Sequence, residues 1–281
     1  AVTAMAQAKA AFSPVINLAG AISSEHKGLD AFQEVDQVRL MQPVSKKVFE
    51  VKDIESIPLI LNEGFKTAVE PRMGPVHIDL PRDVLGHSSE FEPPQKYQIA
   101  KLPNADEMSI QKSVKLLSES KKPVILIGAG IKNYGSEGTE AVISLAELLN
   151  APITASPGHN DSIPSSHPLY AGTAGPRGSG LGTNLLKEAD VILVLGSRIG
   201  FNTSFYSYEN INEKASIIQC EIDQKSIGRY FPVSVGILAD AKTVAKQLYS
   251  SLKTAQLKQE VEDWTHQFKK NKKSYLDQRE A

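Results

Sequence analysis

Between residues 106 and 252 short apolar runs alternate with stretches of helical periodicity, and this rhythm limits the fold more than any other feature of the chain. The runs are Pro123-Val124-Ile125-Leu126-Ile127, Pro152-Ile153-Thr154-Ala155, Val191-Ile192-Leu193-Val194-Leu195, 216–222 and 233–238. Helical spacing occupies 107–118, 137–149, 181–187 and 241–252. A strand that is apolar on both sides must be covered on both faces, which predicts a mostly parallel sheet with helices packed on each side. The length suffices for a six-stranded α/β domain of the doubly wound type.

Residues 1–90 carry the same alternation in a shorter form. A helix is predicted over 2–11, a strand over 14–20, a helix over 57–69 and a strand over 76–80, after the break at Gly74-Pro75. This predicts part of a second α/β domain, short of strands, exposing apolar surface and prone to associate. Residues 91–105, with Pro93, Pro94 and Pro103, read as a linker. Residues 253–281 read as a charged helical tail with Val261, Trp264, Phe268 and Tyr275 along one side. The chain opens on Ala1, without methionine and already in a helical pattern, which reads as a cut polypeptide.

Several function classes have little support. The formal net charge is −1 and no basic cluster stands out, so nucleic-acid binding through phosphate neutralisation is not expected. The run Lys269, Lys270, Lys272 and Lys273 reads as a solvated helix face. No apolar stretch approaches the roughly 20 residues of a membrane span, and no signal-peptide pattern is present. The single cysteine, Cys220, allows no internal disulfide, reads as a buried strand residue, and fits a cytoplasmic location. His159, Asn160, Asp161 and His167 offer too few ligands at zinc spacing, so no metal site is expected within the chain. No nucleophile–histidine–acid pattern is assembled.

In a parallel sheet, ligands gather at the carboxyl ends of the strands. Gly128-Ala129-Gly130 follows one apolar run and precedes a helix, so its backbone could approach a ligand, or simply form a tight turn. The spacing departs from the dinucleotide fingerprint G-x-G-x-x-G. Gly196-Ser197-Arg198 follows the next run, and an arginine there can meet a phosphate, stack on a ring, or form a surface ion pair. Asp223 could accept ribose hydroxyls or cap a turn. The glycine-rich stretch 172–180 could also admit a ligand.

Taken in order, Gly28-Leu29-Asp30-Ala31-Phe32-Gln33-Glu34-Val35-Asp36, Met73-Gly74-Pro75-Val76-His77-Ile78-Asp79-Leu80-Pro81-Arg82-Asp83, Lys122 to Gly130, Ala189 to Arg198 and Ile218 to Asp223 resemble the thiamine-diphosphate enzyme family that includes acetolactate synthase. The resemblance covers nearly the whole chain. It implies that residues 1–90 are the second half of a pyrimidine-binding domain, and that 106–252 are a central domain that in the family holds FAD, ADP or nothing. It also implies that 253–281 lead towards a diphosphate-binding domain. The family's catalytic glutamate would precede Ala1, and its Gly-Asp-Gly…Asn segment for Mg²⁺ and diphosphate does not occur here. Thiamine diphosphate and Mg²⁺ are therefore expected in a complete enzyme, a homodimer or homotetramer acting on a small molecule, and this chain alone is expected to be inactive.

Residue by residue, Phe32 and Gln33 match the family's Phe-Gln pair at the active-site entrance. Arg72 matches an arginine near the flavin and substrate channel, and Arg198 a nucleotide-contacting one. The cofactor-binding candidates are Gly128, Gly130, Arg72, Arg198, Asp223 and Asp240. Arg82 replaces the synthases' lysine, and Ile199-Gly200-Phe201-Asn202 replaces their Phe-Asp-Asp-Arg. The segments 158–167 and 235–242 are similar instead to sulfoacetaldehyde acetyltransferase. The implied reaction attacks a carbonyl carbon and passes the resulting carbanion to a second 2-oxo acid or to phosphate. The rival readings are a non-catalytic FAD- or ADP-binding module and, more remotely, a dehydrogenase.

Overall fold

The computed structural model describes residues 1–92, 97, 102, 104–255 and 261–280. The chain divides into two compact units, Ala1–Lys101 and Leu102–Ala281. Most of the expected linker, 91–105, lies outside the described residues.

In the first unit, α1 (Val2–Ala11), β1 (Ile16–Ala21), α2 (Gln37–Met41), β2 (Lys47–Glu50), α3 (Ile57–Val69), β3 (Val76–Pro81) and α4 (Arg82–Leu85) follow in order. The sheet is parallel in the order β1-β3-β2. Val76 and Ile78 are fully buried and pack with Val51, Ala68 and Val84, while Ile57, Ile60 and Leu61 of α3 join from their helical spacing. Gly64 lets α3 lie close: a methyl there would meet Ile78 Cδ1 at 3.0 Å. The opposite side of β3 is polar. His77 and Asp79 are buried in register with Asn17 and Ala19 of β1 and with Val48 and Glu50 of β2. Sequence reading missed β2, whose four residues Lys47–Glu50 begin and end on charges. Leu18 on β1, Leu29, Phe32 and Val35 beyond it, and Leu59 on α3 are each more than half exposed, the apolar surface expected of this unit.

In the second unit, α5 (Glu107–Glu119), β4 (Pro123–Ile127), α6 (Ala129–Lys132), α7 (Ser136–Leu149), β5 (Ile153–Ala155) and β6 (Tyr170–Thr173) come first. They are followed by α8 (Gly180–Glu188), β7 (Val191–Leu195), α9 (Phe201–Ser204), β8 (Ser216–Glu221), β9 (Val235–Leu238), α10 (Ala241–Thr254) and α11 (Glu262–Glu280). The sheet has six strands, all parallel, in the order β6-β5-β4-β7-β8-β9. Numbered from β4, this is 3-2-1-4-5-6, the order of dinucleotide-binding folds, with its reversal between β4 and β7.

Alternate residues of each strand point to opposite faces, and both are apolar. Ile125, Ile127, Leu193, Leu195, Ile218 and Cys220 pack with Leu117 of α5, Leu145 of α7 and Leu248 of α10. Val124, Leu126, Ile192, Val194 and Ile217 pack with Leu185 and Leu186 of α8 and Phe268 of α11. Fully burying such a Val, Leu, Ile or Phe side chain is worth about 1.5–3 kcal/mol. Helix starts are capped where the sequence supplies an acceptor: Asp106 receives Ser109 N, Ser179 receives Gly182 N, and Asp240 receives Thr243 N, each worth about 1 kcal/mol.

Helix α11 belongs to this second unit. Trp264 Nε1 donates to Pro123 O at 3.2 Å, and Thr265 Oγ1 to Asn150 O at 2.5 Å. The lysine run on α11 is only partly the solvated face that its charges predict. Lys269, Lys270 and Lys273 are exposed, but Lys272 is half-buried and donates to His167 O at 2.6 Å, and burial lowers its pKa. A bare carbonyl offers a lysine stem the same end point as water, which is why the charge pattern alone does not reveal it. No helix among the described residues is long and apolar enough to cross a membrane.

Candidate functional site

The reversal between β4 and β7 is where a sheet of this order opens a crevice at its carboxyl edge. Gly128-Ala129-Gly130 leaves β4 there and Gly196-Ser197-Arg198 leaves β7. The glycines are consumed by the approach of these two loops to each other. A methyl on Gly130 would sit 2.7 Å from Gly196 Cα, and one on Gly128 would sit 2.8 Å from Ser197 Cβ. Gly128 N donates to Leu195 O at 3.1 Å and Gly130 N to Gly196 O at 3.2 Å. Gly196 itself has φ +65°, a left-handed conformation that suits glycine. The residue type is thus explained by backbone meeting backbone, with no ligand needed to account for it.

The glycine-rich stretch 172–180 is used in the same way. Its first two residues end β6, the sixth strand, which no alternating pattern announced. A methyl on Gly178 would lie 2.8 Å from Ala174 C, and one on Gly175 would lie 3.1 Å from Thr203 Cα. Thr183 Oγ1 donates to Gly175 O at 2.9 Å, and Ser179 Oγ to Ala171 O at 2.7 Å, so the stretch folds onto itself.

Beneath the two loops lies a buried polar layer. Ser156 at the end of β5 and Ser197 at the end of β7 share a hydroxyl–hydroxyl bond of 2.6 Å. Gln219 of β8 donates to Ser197 O at 3.0 Å and accepts from Gly228 N at 2.9 Å. Three strands' ends are tied by side chains that the sequence did not flag; their signal was a polar residue inside or just after an apolar run.

Of the expected site residues, Arg198 is half-buried directly after Ser197. Asp223 is half-buried and makes the turn after β8, accepting Lys225 N at 3.0 Å and Ser226 Oγ at 3.1 Å. Asp240 is buried; besides Thr243 N at 2.8 Å it accepts Thr243 Oγ1 at 2.9 Å and the hydroxyl of Tyr134. Burial and this acceptor push the Tyr134 phenol well above its ordinary value. Gly128, Gly130, Arg198, Asp223 and Asp240 thus follow neighbouring strand ends, although the aspartates are engaged in capping. Arg72 lies in the other unit, half-buried, with its guanidinium 4.1 Å from the centre of the Phe12 ring. Phe32 and Gln33 also lie there, on the loop between β1 and α2, and Phe32 is 88% exposed.

Sequence reasoning also missed an aromatic ledge. Phe201 stacks on Phe205 at 4.6 Å and Tyr206 lies 4.4 Å from Tyr230, the first three belonging to the segment that follows Arg198. Ile199, Phe205 and Tyr206 adopt left-handed backbone without being glycine, a costly choice for such side chains. The cluster of Phe201, Phe205, Tyr206 and Tyr208 in the sequence was the available signal.

His159 and His167 have different neighbours. Burial lowers the His159 pKa and its Nδ1 has no partner, while His167 Nε2 lies 3.5 Å from Glu147. Among the described residues no three His, Cys, Asp or Glu gather as metal ligands. The Gly-Asp-Gly…Asn segment is also missing from the sequence. The described residues therefore do not fit a Mg²⁺–diphosphate site.

Residues 110–248 match the family described as thiamine pyrophosphate enzyme, central domain. The chain is 34% identical to a probable acetolactate synthase large subunit of Methanocaldococcus jannaschii, over 97% of this chain and 46% of that protein. It is 36% identical to a sulfoacetaldehyde acetyltransferase of Roseovarius nubinhibens, over 89% of this chain and 41% of that protein. It is 33% identical to acetolactate synthase isozyme 1 large subunit of Escherichia coli, over 88% and 43% respectively. The chain spans less than half the length of these relatives. The strand order, the matched central region and similarity that runs through both units agree, and the chain belongs to the thiamine pyrophosphate enzyme family.

Proposed function

We propose that this chain is part of a thiamine-diphosphate-dependent transferase, a carboligase or acyltransferase acting on a 2-oxo acid or an aldehyde. The observation that carries the reading is similarity at about one-third identity across 97% of the chain, not the central unit alone. Thiamine diphosphate with Mg²⁺ would supply a carbon nucleophile for the substrate carbonyl, held by residues other than those described for this chain. The chain contributes a scaffold, the central unit, and the exposed Phe32-Gln33 turn at the active-site entrance. A cytoplasmic homodimer or homotetramer completes the proposal. Arg82 and the segments 158–167 and 235–242 lean towards the acetyltransferase while the front of the chain is closer to the synthases, so two substrates are retained: pyruvate, as in an acetolactate synthase, and sulfoacetaldehyde with phosphate, as in the acetyltransferase. Turnover of one of them by the full-length protein supports the reading, and turnover of neither removes it.

A second reading is supported by the 3-2-1-4-5-6 strand order and by Arg198 at its reversal. The central unit then holds FAD or ADP without chemistry, with Arg198, Asp223, Asp240 and the Gly128–Gly130 turn around it. Calorimetric titration of this chain with ADP and with FAD tests it. Binding that is lost in Arg198→Ala favours this role, and no binding of either removes it.

A further inference from the structure

The loop between β1 and α2 displays Phe32, which is 88% exposed. A side chain with so little packed against it is aimed mainly by its backbone. That backbone is unusual: Gly28, Asp30 and Gln33 have φ of 79°, 57° and 64°, so the turn holds two left-handed residues that are not glycine. Such a conformation persists only where other bonds determine it.

Those bonds converge on Glu34. One carboxylate oxygen accepts Gly28 N at 2.6 Å and the other accepts Ala31 N at 3.0 Å. Glu34 N donates back to Ala31 O at 2.9 Å. Phe32 and Gln33 are therefore held at both ends, by Ala31 before them and Glu34 after them. The outer ends of the loop are pinned separately: Ser24 N donates to Asp83 at 3.0 Å, Lys27 pairs with Glu50, and Gln37 donates to Gly20 O at 2.8 Å. None of these outer bonds reaches the tip, which depends on Glu34. The same two amides hold the Glu34 carboxyl below the usual carboxylate range, as bonds to an ionised acceptor do.

We propose that Glu34 is a positioning residue, whose carboxylate fixes the turn that presents Phe32 and Gln33. The inference rests on the entrance role given to that pair above. Glu34→Ala should expose the Gly28 and Ala31 amides to faster hydrogen exchange while the melting of the second unit is unchanged. Glu34→Gln, which keeps one acceptor oxygen, should retain part of the protection. In the full-length protein Glu34→Ala should lower kcat/KM about tenfold to a hundredfold, the scale of a misplaced active-site group. It should add little when Phe32→Ala is already present, because both act through one side chain.

Unchanged exchange at Gly28 and Ala31 in Glu34→Ala would overturn the inference at its geometric root. Faster exchange with unaltered turnover, in a protein that Phe32→Ala does impair, would overturn the positioning role alone. If Phe32→Ala and Gln33→Ala both leave turnover unaltered, the entrance reading itself fails and the inference falls with it.

Discussion

Gly130 and Gly196 meet backbone to backbone at the reversal of the strand order, close enough that a methyl on Gly130 would lie 2.7 Å from Gly196 Cα. Overpacking of this kind costs about 1–3 kcal/mol, and Gly196 adds left-handed strain, since its φ is +65°. Gly130→Ala and Gly196→Ala are expected to lower the urea midpoint of the second unit, with Gly196→Ala the more severe. Variants as stable as the parent would mean that the loops do not touch, and that the glycines serve a ligand instead.

Tyr134 and Asp240 are joined across 106 residues of sequence by the phenol hydroxyl. Tyr134→Phe should cost about 1 kcal/mol, the scale of one partly exposed hydrogen bond. Asp240→Ala should cost more, because Thr243 N and Thr243 Oγ1 lose their acceptor as well. Equal losses in chemical denaturation would show that the helix cap contributes nothing.

Cys220 is fully buried in β8, with Sγ 3.3 Å from Ala239 O, and burial pushes its thiol far above the ordinary range. The thiolate is the reactive form, so Ellman's reagent should leave the native chain unlabelled at pH 8 and titrate one thiol in denaturant. Prompt labelling of the native chain would contradict this burial.

His77 and Asp79 sit buried on one side of β3 with His77 Nε2 and Asp79 Oδ1 3.8 Å apart, too far for a hydrogen bond. Asn17 Nδ2 lies 2.7 Å from His77 Nδ1, and because an amide nitrogen can only donate, this contact favours the neutral ring with its proton on Nε2. Burial lowers the His77 pKa from 6.5, so the unfolded chain binds the extra proton first and stability falls as pH drops below 6.5 towards the folded value. Burial and then Glu50 raise the Asp79 pKa from 3.8, which has the opposite sign. Its contribution is complete below 3.8 and is lost as pH rises towards the folded value. Hydrogen-exchange protection of the β3 amides should therefore weaken as pH falls from 7 to 5, and in His77→Gln this slope should vanish or reverse, because only the Asp79 contribution remains. A slope that persists in His77→Gln would assign it elsewhere.

The parts legible in the sequence were those that a single local rule decides. Pro123–Ile127 and Val191–Leu195 are buried on both faces, so their composition allows nothing but a central strand. The helix Ile57–Val69 was marked by its spacing. The edge strand Tyr170–Thr173 was hidden because Gly172 reads as a turn and because an edge strand need not be apolar on both sides. Glycines advertise that something comes close, but not what: at Gly130 it is Gly196, 66 positions later. The bonds from Thr265 to Asn150 and from Lys272 to His167 likewise link positions more than a hundred residues apart, where no spacing rule applies.

The most direct test of the account is whether turnover by the full-length protein depends on thiamine diphosphate, whichever substrate it takes. Activity on pyruvate or on sulfoacetaldehyde should disappear when thiamine diphosphate and Mg²⁺ are dialysed away and return when both are restored. Turnover that survives their complete removal, or that neither substrate elicits with both present, would contradict a thiamine-dependent transferase.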